Sequence, residues 1–363
     1  MHAALLVNMA WLDEERSAFR QLMVGLVDEQ VRLTRVMPAR AVDTGPGLGS
    51  GSLLGGQLTW GESKVSAMNQ RRLVKLAGAL DAAGVDLLHA FHQDLWQPAL
   101  VLGEQLDLPV VCHVWSMEGA RQSGRLTRYL TPGRSTFVAT TGPIAAELRR
   151  ATENLVRIET IVPGVHVGEP RLADRGPGEA PSFAVCGDGV MDRRYAALLE
   201  GMRSVVDQRP ETQFFFDGQR ADQRQLWRAT QAMGLLGNST FCPPRLGRRD
   251  LLLMADAVIH PQSLGRSRSV TLSAMGQALP VLAAADPAVD YLIDGHTAWV
   301  LEEPEGRAWA ELMGQLIDDP QAAAELGLRA RSWVGEERLA SDQVARTLAL
   351  YRSVVGVPLP FEG

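Results

Sequence analysis

The stretch HPQSLGRSRSVTLSAMG combines residue types that bind phosphate. It follows an apolar segment, carries Arg266 and Arg268, and continues into a predicted helix that begins near Ser269. A helix N-terminus attracts anions through its N–H groups and dipole, and guanidinium groups hold phosphate through paired hydrogen bonds. The main-chain N–H groups of Ser269 and Val270, with both arginines, therefore form a candidate anion site. The alternative is a solvated arginine loop in which Ser267 and Ser269 only cap the helix.

Histidines near two predicted strand ends form the second group of candidates. His92 follows the strand VDLLHAF, and His113 lies in the strand LPVVCHVW. Both lie near strand ends, where parallel α/β sheets bind their ligands, so both are candidates for catalytic roles. His89 is interpreted as a core residue. The spacing of His89, His92 and Asp94 matches neither a helix face nor a zinc-ligand set, so we predict no metal site.

Other glycine and serine patterns exclude several cofactor and enzyme classes. Gly187 and Gly189 in CGDGVMD lack the third glycine of a dinucleotide fingerprint and are interpreted as a tight turn after a strand. The glycine-rich segment Gly45–Gly56 has no lysine and is not a P-loop; we interpret it as a mobile loop. No GxSxG elbow surrounds any serine, which argues against a hydrolase. The sequence predicts no bound cofactor.

Predicted strands and helices, which could position these residues, alternate along the whole chain. Apolar strands such as HAALLVN and SFAVCG alternate with amphipathic helices such as Glu14–Glu29. Continuous apolar strands separated by helices predict parallel sheets covered on both faces. A polar segment rich in proline and glycine interrupts the alternation. We therefore predict an α/β protein with two doubly wound Rossmann-like domains facing a cleft, and ligands at the carboxyl ends of the strands.

The predicted domain limits follow from that interruption. They are an N-terminal domain 1–166, a linker 167–181, a C-terminal domain 182–340, and a helix and tail 341–363 that crosses back to the N-terminal domain.

Composition restricts the partners and the cellular compartment. The chain has 363 residues and a formal charge of −6, so no basic field points to nucleic acid. Cys112, Cys186 and Cys242 are far apart and read as free buried thiols in a reducing compartment. No apolar run has the length of a membrane span or follows a basic leader. These features predict a cytoplasmic protein, with peripheral membrane contact left open.

Several segments, in this order, resemble one large family. DLLHAFHQDLWQPAL with LPVVCHVW is similar to its acceptor domain, and TTGPIAAELRR with RIETIVPGV resembles the sequence before its linker. LLLMADAVIHPQS and SAMGQALPVLAAADPAVDYLIDGHTAWVLEEPE resemble its donor site. The family is that of the retaining glycosyltransferases of GT-B architecture, which includes many bacterial cell-surface sugar transferases and sucrose synthase. The resemblance implies transfer of a hexose from a nucleoside diphosphate sugar without a metal.

This chain departs from the family at the positions that the resemblance assigns to the donor. Two glutamates that hold the sugar hydroxyls and the ribose diol fall on Gly265 and Ser273, and an arginine and a lysine aimed at the diphosphate fall on Asp188 and Arg193. A carboxylate bound to hydroxyls contributes roughly 1.5–3 kcal/mol, and a serine about 0.5–1.5 kcal/mol. Donor contacts would then come from the positive charge at Arg193 and from the arginine-rich helix start.

Two functions stay open at this point. One is an active transferase with an atypical donor site and a carbohydrate or lipid-linked acceptor. The other is a non-catalytic relative that acts as a ligand-binding module or a partner subunit of a homologous glycosyltransferase, or forms a homodimer. A partner subunit needs an exposed apolar surface, for which Trp11, Trp60 and Trp96 are the candidates.

Overall fold

The computed structural model describes residues 1–38, 56–60, 70–171, 180–187, 189–217, 224–242 and 248–356. The chain divides into two compact units. Unit 1 comprises Met1–Gly164 and Ala340–Gly363, and unit 2 comprises Val165–Leu339. The predicted mobile loop 45–56 lies outside the described residues except for Gly56, and so does most of the predicted linker.

Unit 1 is built on a seven-stranded parallel sheet with the order β3-β2-β1-β4-β5-β6-β7. Its strands are β1 (His2–Leu6), β2 (Arg32–Pro38), β3 (Gln57–Trp60), β4 (Leu87–Ala90), β5 (Val110–Val114), β6 (Ser135–Ala139) and β7 (Arg157–Thr160). Its helices are α1 (Met9–Asp28), α2 (Gln70–Ala83), α3 (Gln93–Leu106), α4 (Met117–Ser123), α5 (Gly142–Ala151) and the C-terminal α12 (Ala340–Val355). The central strands are buried along their whole length, which explains why their sequences are apolar apart from one histidine in each of β1, β4 and β5.

Unit 2 is built on a six-stranded parallel sheet with the order β10-β9-β8-β11-β12-β13. Its strands are β8 (Ser182–Val185), β9 (Gln213–Phe216), β10 (Ser239–Phe241), β11 (Ala257–His260), β12 (Val281–Ala284) and β13 (Trp299–Leu301). Its helices are α6 (Arg193–Gln208), α7 (Arg224–Ala232), α8 (Arg248–Leu253), α9 (Ser269–Gly276), α10 (Gly306–Asp318) and α11 (Pro320–Glu337). Both sheets have the strand order of doubly wound folds, so the prediction of two Rossmann-like domains is confirmed.

The last helix completes the core of unit 1. Residues of α12 bury their apolar face in the same cluster as α1 and the strand residues Leu5 and Val111. Gly25 of α1 lies so close to Val344 that an added Cβ would be 2.4 Å from a valine methyl group. The side-chain oxygen of Gln343 accepts a hydrogen bond of 2.9 Å from the N–H of Gly164. The helix is therefore an integral layer of unit 1.

Polar side chains cap the helices that follow the strands of unit 1. Asn8, His92, Ser116 and Thr141 each stand between a strand and a helix, and each accepts a hydrogen bond from a main-chain N–H group in the first turn. Capping satisfies N–H groups that have no partner within the helix. The carboxyl edge of the sheet is therefore polar and locally ordered. Among the helices of the described residues, none has the length and apolarity to cross a membrane.

Candidate functional site

The strand order of unit 2 reverses between β8 and β11, and the loops after these two strands meet. The side-chain amide of Gln262 donates to the carbonyl of Val190 over 3.2 Å. Gly187 packs against Tyr195 and Pro261. Open α/β sheets bind ligands at such a reversal, outside the carboxyl ends of the strands. This junction, which we call the unit 2 switch point, is the candidate ligand site.

Gly187 has no space for a side chain. An added Cβ would lie 2.8 Å from the Tyr195 hydroxyl and 2.9 Å from Cγ of Pro261. We expect Gly187→Ala to lower the free energy of unfolding of unit 2 by about 1–3 kcal/mol, because both neighbours must move. Urea unfolding measures this change. The control Gly237→Ala introduces a Cβ with no atom within 4 Å, and an equal loss in both variants would contradict the tight turn.

Helix α9 begins at the candidate anion site, and its first turn is buried. Arg268 is the N-cap residue and provides no side-chain cap. The prediction that Ser267 or Ser269 caps the helix is therefore wrong. The Tyr291 hydroxyl instead accepts from the Arg268 N–H over 2.8 Å and donates to the Arg268 carbonyl over 3.2 Å. Arg268 is only 4% exposed, so the interpretation as a solvated arginine loop does not hold for this residue.

A buried histidine connects the loop before α9 to the helix itself. His260, at the end of β11, contacts the Ser263 hydroxyl through Nε2 at 2.8 Å and the Thr271 hydroxyl through Nδ1 at 3.1 Å. Burial, together with the positive charge of Arg268, lowers the pKa of His260 to about 3. The imidazole is thus neutral and fixes the loop to the helix. Sequence reasoning missed this role, because His260 reads as an ordinary strand end.

The two positions at which the resemblance places glutamates carry no carboxylate. Gly265 has a φ of +68°, a conformation that favours glycine. Its N–H donates to the Asp286 carboxylate over 2.6 Å. The Ser273 hydroxyl donates to the carbonyl of Ser269 over 2.9 Å, within its own helix. Asp286, which follows β12, was not predicted as a site residue.

The remaining predicted donor residues differ in their surroundings. Arg266 is half-buried in the loop before α9. Arg193 is exposed at the first position of α6 and lines a groove with Glu302, Glu303 and Glu305. Asp188 lies outside the described residues.

Unit 1 has its own reversal of strand order, between β1 and β4. Asn8 follows β1 and His92 follows β4, and the Asn8 side-chain nitrogen lies 2.8 Å from Nδ1 of His92. His92 also accepts from the N–H of Asp94 and stands 3.4 Å from its carboxylate. This contact brings together polar groups from both sides of the reversal, and His92 is half-buried there.

His113 belongs to a buried relay rather than to the surface. The Tyr351 hydroxyl of α12 lies 2.6 Å from Nδ1 of His89, and Nε2 of His89 lies 3.2 Å from Nδ1 of His113. Burial lowers the pKa of His113 to about 3, and burial with the neighbouring His113 lowers that of His89. His113 is 1% exposed, so it has no direct access to a ligand, and its catalytic role stays a prediction.

The tryptophans predicted as surface anchors are mostly buried. Trp11 and Trp96 are 4% and 2% exposed, and Trp60 is half-buried in β3 with its indole N–H donating to Val7. Trp11 packs edge-on against Phe19 at a ring separation of 5.4 Å. The prediction that these residues form an exposed apolar surface is wrong.

Comparison with known proteins assigns the second unit to a family. The family model of glycosyl transferases group 1 matches residues 178–333, which include the unit 2 switch point and helix α9. Unit 2 carries the group 1 glycosyltransferase domain. The family predicted from the ordered segments of the sequence is therefore confirmed for unit 2. No protein among the curated sequences matches this chain.

Solved structures show the same fold over almost the whole chain. Sucrose-phosphate synthase from Thermosynechococcus elongatus is 17% identical, with a TM-score of 0.78 over 99% of this chain and 100% of that one. A glycosyltransferase from Rickettsia africae is 12% identical, with a TM-score of 0.72 over 98% of each chain. Anabaena HepE in complex with UDP and glucose is 15% identical, with a TM-score of 0.71 over 96% of this chain and 100% of that one. The fold is GT-B.

Proposed function

We propose that this protein transfers a hexose, with retention of configuration, from a nucleoside diphosphate sugar to a carbohydrate or lipid-linked acceptor. The observation that carries the proposal is the start of α9, where the N-cap residue is the buried Arg268, whose side chain does not cap the helix. The domain assignment and the binding of UDP by HepE support a nucleotide donor.

Each predicted residue has a place in this proposal. The N–H groups of Ser269 and Val270 and the positive charges of Arg266 and Arg268 face the donor diphosphate and stabilise it as it departs. Arg193 adds charge from the start of α6 and binds more weakly, because three glutamates line the same groove. In unit 1, His92 and His113 are the candidates for roles near the acceptor, His92 by contact and His113 through the buried relay.

Calorimetric titration tests the donor site. We expect UDP, ADP or GDP to bind. Arg266→Ala should lower the affinity for that nucleotide about tenfold, because the variant loses one charge-assisted hydrogen bond. Arg203→Ala is the control, because Arg203 is an arginine of α6 that pairs with Asp207. If the two variants bind alike, the loop before α9 does not hold the diphosphate.

A second candidate function is that of a non-catalytic partner subunit. It is favoured by the absence of a carboxylate at Gly265 and by the Ser273 hydroxyl, which bonds to its own helix. In that case no nucleoside diphosphate binds, and the protein co-elutes with an active homologous glycosyltransferase. Donor binding with turnover of the protein alone would exclude this function.

A further inference from the structure

The loop after β12 is bonded to the loop before α9 at two points. At one point the Asp286 carboxylate accepts from the N–H of Gly265, and at the other the Tyr291 hydroxyl holds both main-chain groups of Arg268. The segment from Asp286 to Tyr291 thus fixes the segment from Gly265 to Arg268. The start of α9 is therefore positioned by the loop after β12.

The Asp286 carboxylate is held in a fixed orientation and remains accessible. One oxygen accepts from the Gly265 N–H over 2.6 Å and the other from the Ala288 N–H over 2.9 Å. Asp286 is half-buried. An ionised carboxylate has about four acceptor positions, so these two bonds leave acceptor capacity on both oxygens. Groups that can donate to it include the hydroxyls of a bound polyol.

The position of this carboxylate defines the ligand that it would bind. The Cα atoms of Gly265 and Ser269 can be no more than roughly 14 Å apart, the reach of four extended residues. A ligand that satisfies both the carboxylate and the helix start must combine hydroxyl groups with an anionic group. A metal ion would need further ligands, and the described residues contain no group of three or more His, Cys, Asp or Glu side chains suited to one.

We propose that Asp286 binds hydroxyl groups of the donor sugar and supplies, from the end of β12, the carboxylate that the loop at Gly265 lacks. This assignment rests on the proposed function, because it requires a nucleoside diphosphate sugar at α9. Asp286 then determines sugar binding from the loop after β12, whereas the glutamate that the resemblance places at Gly265 would lie in the loop after β11. The donor site is then rearranged rather than lost.

The test separates the sugar from the nucleotide. Titrations with UDP, ADP and GDP, and with UDP-glucose, ADP-glucose and GDP-glucose, give for each base the ratio of the two affinities. We expect the wild-type protein to bind the sugar nucleotide more tightly than the nucleotide alone. Asp286→Asn should reduce that ratio about tenfold and leave the affinity for the nucleotide within about twofold. Asp294→Asn, which alters a carboxylate that accepts from the Val300 N–H, is the control and should keep the ratio.

Each outcome is decisive. If Asp286→Asn weakens nucleotide and sugar nucleotide equally, Asp286 only braces the loop, and the assignment is wrong while the proposed function stands. If the wild-type ratio is one, no carboxylate contributes to sugar binding. If no nucleotide binds to the wild-type protein, the proposed transferase function fails first, and the role of Asp286 fails with it.

Discussion

At pH 4.5, unit 1 should unfold at a lower denaturant concentration than at pH 6.5. His89 and His113 are buried as neutral side chains, and their pKa values are lowered in the folded state. The unfolded chain binds protons near pH 6.5, so the stability is present above that pH and is lost as the pH falls. Each histidine contributes about 1.4 kcal/mol per pH unit, which gives about 5 kcal/mol for the pair over this interval.

Urea unfolding followed by circular dichroism at several pH values measures this loss. His260 adds one further proton on unfolding of unit 2, because its pKa is lowered to about 3. His113→Gln should reduce by one the number of protons that unit 1 takes up on unfolding, and with it the slope of stability against pH. His296→Gln, at an exposed position, should leave it unchanged. If a variant does not fold, the wild-type slope alone decides, since a slope near zero between pH 6.5 and 4.5 would refute buried neutral histidines.

Tyr291→Phe should destabilise unit 2 by about 2–6 kcal/mol. The hydroxyl binds both the N–H and the carbonyl of Arg268, and all of these groups are buried. Removing one partner leaves a buried polar group that costs about 1–3 kcal/mol, and two such groups are affected here. The start of α9 should also lose its fixed position, which weakens nucleotide binding if the proposed function is correct.

The midpoint of urea unfolding measures the first effect, and calorimetric titration with UDP, ADP and GDP measures the second. Tyr129→Phe is the control, because its hydroxyl bonds to the surface side chains of Gln97 and Arg128. We expect that variant to stay within about 0.5 kcal/mol of the wild-type protein. Equal stability of the two variants would show that Tyr291 does not hold the loop.

Local sequence patterns predicted the sheets of both units, because a parallel strand covered on both faces must be apolar throughout. They predicted the first helix less well. The amphipathic pattern begins at Glu14, whereas α1 starts at Met9 and contains a non-helical residue at Glu15. Glu15 lies on the buried face of the helix. Because this polar residue interrupts the apolar pattern, a periodic pattern detects only the later turns.

The candidate site could be located from the sequence, but its hydrogen bonds could not. The start of α9 was predicted from residue types, and the structure finds the helix there. Tyr291 and Asp286 lie more than 20 residues from the loop that they hold. Such contacts depend on the order of strands β11 and β12, which no local pattern contains. The two serines near Arg268 were for the same reason interpreted as caps.

The chain path through unit 1 has a consequence during translation. Unit 1 consists of an early segment and the final helix, whereas unit 2 is one continuous segment between them. A ribosome therefore synthesises all of unit 2 before it makes α12. Until then the early segment lacks the Tyr351 hydroxyl for His89 and the apolar cover provided by Val344 and Leu348. Unit 2 can fold on the nascent chain, while unit 1 is completed only after α12 has been made.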